Sequence, residues 1–199
     1  MPELATPAIT TGYLAGMDQP SIRVETSAII RPWIPDDAPA VVEAFQDPSI
    51  QRWHVRRADS VDEAHSWITH WQKGWSDESE CHWAIATPET GELLGRIALK
   101  GLDLRDGSAD LAYWMVPGSR GRGLCTQAVI TLSEWAFRDA GFHRLELEHS
   151  IHNPQSCRVA TKAGFSGEGV RRGSARHADG WHDMHMHARL HSDQAVITR

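Results

Sequence analysis

The sequence predicts an α+β domain in which helices pack on a mixed β-sheet. Three observations carry that prediction. Short runs rich in β-branched and aromatic residues cluster in the middle of the chain. Stretches with apolar residues at helical spacing interrupt them, the clearest being Cys125, Ala128, Val129, Leu132, Trp135 and Ala136. No self-similar period recurs, which excludes a repeat array.

The elements follow in order. Residues 1–20 mix Pro, Gly and Thr without a sustained period and are expected to form a loose arm before a domain over 21–192, with 193–199 as a tail. Ile22–Trp33 reads as one strand ended by Pro32 and Pro35. A helix carries Val41, Val42 and Phe45 on one face, and Asp47-Pro48 closes it. Ser60 and Glu63 fit a capping box ahead of a helix bearing Trp67, Ile68, Trp71 and Trp75. Two short strands, His82–Thr87 and Glu92–Leu99, flank a turn at Thr90-Gly91, and a longer strand runs from Asp110 to Val116. A Gly-rich loop then opens the helix beginning at Cys125, and Gly141 sits where a C-terminal helix glycine belongs. Leu145 and Leu147 alternate with Glu146 and Glu148, as in a strand. Asn153-Pro154 reads as N-cap and first residue of a last helix. Asp179-Gly180 marks the turn of a closing hairpin.

Composition narrows the function. The 199 residues suit one domain, and a chain of that size needs neither disulfide nor metal to fold. The three cysteines, Cys81, Cys125 and Cys157, form no CxxC pair and read as free thiols of a reducing cytoplasm. No basic n-region precedes an apolar stretch, and no apolar run approaches the ~20 residues of a membrane span, so neither signal peptide nor membrane is expected. A net charge of −6 argues against a general nucleic-acid binder and is compatible with a cationic acceptor such as an amine.

The chemistry concentrates at Arg120-Gly121-Arg122-Gly123-Leu124-Cys125-Thr126, between a strand and a helix. A helix start leaves backbone N–H groups without intrahelical partners and adds the positive end of the dipole. Glycines let an anion approach closely, and Arg120 and Arg122 add charge, so the loop reads as a phosphate cradle. The spacing is neither GxGxxG nor that of a P-loop.

The loop resembles the pyrophosphate loop of the GNAT acyltransferase superfamily, Gln/Arg-x-x-Gly-x-Gly/Ala, with Cys125 in place of the final small residue. The resemblance extends over Ile22–Leu190 and is closest to the RimJ/RimL-type branch. It is carried by Asp47-Pro48-Ser49-Ile50, Trp83-Ala84-Ile85, Gly91-Glu92-Leu93-Leu94-Gly95, Asp110-Leu111-Ala112-Tyr113-Trp114, Asn153-Pro154-Gln155-Ser156, Gly164-Phe165 and Asp179-Gly180. It implies a central mixed, mostly antiparallel sheet, with splayed parallel strands in the middle and helices on both faces. It further implies direct transfer of an acetyl group from acetyl-CoA to a primary amine. The acceptor would be a protein or peptide N-terminus, with a small-molecule amine as the alternative. A non-catalytic acyl-CoA-binding protein is the rival outside enzymology. Homodimerisation stays open.

The resemblance also assigns residues. Backbone groups near Met115 and Val116 would hold the pantetheine arm, and Asn153 would bind it while also capping its helix. Arg120, Gly121, Arg122, Gly123, Leu124, Cys125 and Thr126 would hold the phosphates, with Arg158 as a further cofactor contact. Ser156 would stabilise the departing thiolate. Asp110 and His54 are the candidate bases, each with a plain structural role as the alternative. Trp53, His54 and Trp75 would wall the acceptor site, while Trp67 and Trp71 are expected in the core. Cys125 is either a thiol activated by the helix start or an inert packing residue. His177, His182, His185, His187 and Asp183 could in principle meet a metal, since 183, 185 and 187 share a strand face. They fall on the family's last strand, so no metal is expected.

Overall fold

The computed structural model describes residues 4–193. Eight strands form one sheet in the order β1-β2-β3-β4-β5-β6-β8-β7. These are β1 (Ile22–Val24), β2 (Ala28–Pro32), β3 (Cys81–Ala86), β4 (Leu93–Asp103), β5 (Ser108–Met115), β6 (Arg144–Ser150), β7 (Ser166–His177) and β8 (Gly180–Leu190). The helices are α1 (Ala38–Ala44), α2 (Pro48–Gln51), α3 (Val61–Ser76), α4 (Leu124–Arg138) and α5 (Pro154–Lys162).

Every neighbouring pair of strands is antiparallel except β5 and β6. These two run parallel and pair only over Ser108–Asp110 and Arg144–Glu146. Beyond Asp110 they separate into a wedge that opens toward Met115 and Ser150, as the resemblance implies.

Two cores flank the sheet. On one face α4 packs Val129, Leu132, Trp135 and Ala136 against Trp83, Leu111, Leu145 and Phe165. On the other, α1 and α3 enclose Trp33, Phe45, Trp71 and Trp114. Strand β3 is buried at all six positions because both its faces are covered.

The expected first strand is two. Ile22–Trp33 breaks into the β1–β2 hairpin at Glu25, which takes φ 51, so that Val24 and Ala28 both bury their side chains. The expected loose arm is corrected for its described part. Ile9 and Leu14 enter the core, and the amides of Gly12, Leu14 and Ala15 donate to the buried carboxylate of Glu78. Asp47 caps a further helix, α2, as well as ending the first: its carboxylate accepts from Ser49 N.

Candidate active site

The wedge between β5 and β6 organises the site. Strand alternation puts Tyr113 and Met115 on the α4/α5 face and Asp110, Ala112 and Trp114 on the α1/α3 face. Val116 N donates to Leu94 O, so the N–H groups of Met115 and Tyr113 turn the other way, into the wedge that β6 has left. The groups expected near Val116 are themselves engaged: its N–H is paired with β4 and its carbonyl accepts from Ser119 N. The exposed edge is therefore the N–H face of Tyr113 and Met115.

At the mouth of the wedge the loop enters α4 through Gly121 and Gly123, at φ 78 and 80. A Cβ at either would meet nothing within 4 Å, so glycine is required for backbone conformation and not for space. Gln127 N is bonded to Gly123 O, which leaves the amides of Gly123, Leu124, Cys125 and Thr126 as first-turn donors. A cleft of about 170 Å³ adjoins them, lined by Val24, Leu94, Ser119, Arg122, Leu124 and Gln127. Arg122 thus stands where the cradle expects charge. Arg120 does not: its guanidinium donates to Met115 O at 2.9 Å and Ser49 Oγ at 2.6 Å and pairs with Asp47 at 2.8 Å. It straps the loop to α2.

Cys125 is partly buried beside Leu124, and burial pushes its thiol up to about 12, which supports the inert reading. Arg158 lies exposed on α5.

Asn153 caps α5 through Oδ1, which accepts from Ser156 N at 3.1 Å. The cap directs the first turn so that Ser156 Oγ lies 2.7 Å from the Tyr113 hydroxyl. Burial raises the Tyr113 phenol above its ordinary value, with Cys125 as a lesser cause, so it stays protonated as a donor. Tyr113 belonged to a recognised motif, but nothing in the sequence showed that α5 would be laid across it.

The α1/α3 face holds a second constellation at the same level. Continuing the β5–β6 register places Ser150 opposite Trp114. Ser150 Oγ lies 2.8 Å from His182 Nδ1, and His182 Nε2 lies 2.8 Å from Asp179 Oδ1. Trp53 stands edge-on to His177 and His182, at ring distances of 5.9 and 6.3 Å. His54 donates from Nδ1 to Ile50 O at 2.8 Å and meets the edge of Phe45. Burial lowers its pKa, and the same cause lowers that of His177, so both imidazoles are neutral near pH 7.

The other expected residues are placed elsewhere. Asp110 is exposed at the closed end of the wedge, roughly 10 Å along the strand from Tyr113 and on the opposite face. Partial burial, then Glu146 and Glu148, raise its pKa. Trp75 is a core residue, not an acceptor wall: it is buried against Trp83 and Trp135 and donates to Met17 O. Trp71 is in the core as expected, and Trp67 packs half-buried on Phe45.

A loop of amides beside a splayed parallel pair, with a hydroxyl donor on the helix that follows, defines a class: transferases that take an acyl group from a CoA thioester. The profile of the acetyltransferase (GNAT) domain matches residues 28–166, and the chain belongs to that family. It is an acyl-CoA-dependent N-acyltransferase. Probable N-acetyltransferase YjcK of Bacillus subtilis (strain 168) is 29% identical over 148 residues, which is 72% of this chain and 81% of that protein. Ribosomal-protein-serine acetyltransferase of Escherichia coli (strain K12) is 27% identical over 103 residues, 52% of this chain and 58% of that one. Among solved structures, RimL, a ribosomal L7/L12 alpha-N-protein acetyltransferase in complex with coenzyme A, shares the fold. Its TM-score is 0.80 at 19% identity, covering 86% of this chain and 98% of that one.

Proposed function

We propose that the enzyme acetylates the α-amine of a protein or peptide N-terminus, by direct attack of that amine on the thioester of acetyl-CoA. The donor enters on the α4/α5 face. Its pyrophosphate takes the first-turn amides of α4 and Arg122, and its pantetheine pairs with the N–H groups of Tyr113 and Met115. The acceptor enters from the α1/α3 face between Trp53 and Ser150. It loses its proton toward Ser150, His182 and Asp179, while the departing thiolate takes one from the Ser156–Tyr113 pair.

The observation that carries the acceptor class is the make-up of the acceptor face at the level of the reaction. It offers imidazoles, of which His54 and His177 are held neutral by burial, and the carboxylates of Asp110 and Glu146 lie lower, at the closed end. Making an α-amine neutral at pH 7 costs about 1 kcal/mol, whereas a lysine-like amine costs about 4.6 kcal/mol. Mild bases therefore suffice for the first and not for the second. The ribosomal-protein acetyltransferases among the similar proteins support the same class.

The test is CoA release, with mass spectrometry of products, on a panel of free N-terminal peptides, N-blocked lysine peptides, polyamines and aminoglycosides. N-terminal peptides should show the highest kcat/KM, and His182→Gln should lower kcat on them. A polyamine or aminoglycoside outrunning every peptide would transfer the assignment to small-molecule amines. No helix among the described residues is long and apolar enough to cross a membrane. The three free thiols support a cytoplasmic site of action.

A further inference from the structure

The histidines near the C-terminus divide between the two sheet faces. His177 and His182 belong to the acceptor face, and Asp183 accepts from Gly173 N. His185 and His187 point to the α4/α5 face, where they meet two residues from other elements: His149 of β6 and Cys157 of α5. One ligand atom from each of His149, Cys157, His185 and His187 lies within 4.8 Å of all the others.

The geometry of this set is specific. His149 Nδ1 donates to Ser150 O at 2.8 Å, which leaves the lone pair of Nε2 facing the cluster. His149 Nε2 then stands 3.2 Å from His187 Nε2, with the two rings stacked at 26°. Two nitrogens bound at 2.0–2.1 Å to one tetrahedral ion lie roughly 3.3 Å apart. Cys157 Sγ and His185 Nδ1 are 3.9 Å apart, against roughly 3.6 Å for sulfur and nitrogen on such an ion. A backbone carbonyl behind a ligating histidine is the usual way its tautomer is fixed.

We propose that His149 Nε2, Cys157 Sγ, His185 Nδ1 and His187 Nε2 bind one Zn²⁺ ion. Three imidazoles and one thiolate are a borderline-soft, four-ligand set. They favour zinc over the hard cations, and a complete ligand shell favours a structural ion over a catalytic one. The expectation of no metal weighed the C-terminal histidines by strand alone, without His149 and Cys157. The site lies one residue from the reaction. Ser156 reaches across to Tyr113 on β5, while Cys157, its neighbour, faces β6 and β8. Zinc therefore clamps the first turn of α5 to one lip of the wedge while Ser156 ties it to the other.

The test uses tag-free full-length protein, thiols reduced and metal stripped with a chelator. Titration with Zn²⁺ against a chromophoric competitor should give one equivalent per chain. Co²⁺ in its place should give the visible bands of a tetrahedral site and a near-ultraviolet thiolate-to-cobalt band. Cys157→Ser should abolish the thiolate band. It should also weaken Zn²⁺ binding by more than the roughly 10–100-fold that loss of an outer-shell partner costs. Cys125→Ala, a thiol outside the set, should change neither. His185→Gln gives a second, independent loss of affinity, and circular dichroism confirms that each variant is folded. Absence of equimolar binding by the unmutated chain overturns the proposal. So does binding without a thiolate band, or binding that Cys157→Ser leaves within about threefold.

Discussion

The Tyr113 and Ser156 hydroxyls lie 2.7 Å apart, joining the central strand to the first turn of α5 across the mouth of the wedge. One hydroxyl oxygen can hand a proton to a thiolate while the other replenishes it. Ser156→Ala and Tyr113→Phe should each lower kcat about 10²-fold and leave the acetyl-CoA KM within about threefold. The double variant should be little worse than either single one, because the two act as a unit. Steady-state CoA release with the best peptide acceptor measures this. A kcat within about twofold of the parent, well under 1 kcal/mol of barrier, would remove the pair from the chemistry.

Gly123 carries the chain into α4 at φ 80. Gly123→Ala imposes about 1–2 kcal/mol of left-handed strain on the loop, and Gly123→Val adds a branched side chain beside the first-turn amides. Acetyl-CoA affinity should fall about tenfold or more for Val and less for Ala. Titration calorimetry measures it, with circular dichroism to confirm the fold. Equal affinity for all three proteins would show that the phosphates bind elsewhere.

With its thiol pushed up to about 12 by burial, Cys125 stays protonated at pH 7.4. Iodoacetamide should label Cys157 of the metal-free protein well before Cys125, with or without CoA. Peptide mapping checks the order. CoA-dependent protection of a fast-reacting Cys125 would reinstate the activated thiol.

His82 is buried between Glu80 and Arg96 and stacked on Trp71, and desolvation lowers its pKa to about 4. The unfolded chain binds this proton below about pH 6.5, the folded one only near 4. Stability is therefore fully present above pH 6.5 and is lost as pH falls toward 4. His82 alone accounts for up to about 3 kcal/mol of that loss. Urea unfolding at pH 7 and pH 4.5 should show the drop. His82→Gln should flatten it, at some cost in stability at pH 7 through the lost partner of Arg96. An unchanged pH slope in the variant would assign the acid sensitivity to other groups.

What could be foreseen was local. The glycine loop, the Asn153-Pro154 helix start and the Asp179-Gly180 turn each rest on a few adjacent residues whose backbone preferences decide the outcome. Even there, partners shifted: Ser60 accepts from Glu63 N, but the Glu63 carboxylate takes Asp59 N one residue earlier than a capping box requires. The β1–β2 turn escaped notice because Glu25 adopts positive φ without a glycine to mark it. Arg120 looked like a phosphate ligand because Asp47 and Ser49, which hold it, are far away in sequence. Trp75 shared helical spacing with Trp71, yet the two indoles enter different cores. The pairings of Tyr113 with Ser156 and of Ser150 with His182 depend on how the last helix and hairpin fold back, which no local pattern encodes.

Strand β6 pairs with β5 only at its first residues, but with β8 from Arg144 to Ser150. One wall of the wedge is thus held chiefly by the last of the eight strands. Without β8, the residues of β6 beyond Glu146 have no paired strand on either side. Strands β5 and β6 are then free to pair further and close the gap. The open wedge therefore depends on β8, and a chain truncated before Gly180 should form no such cleft.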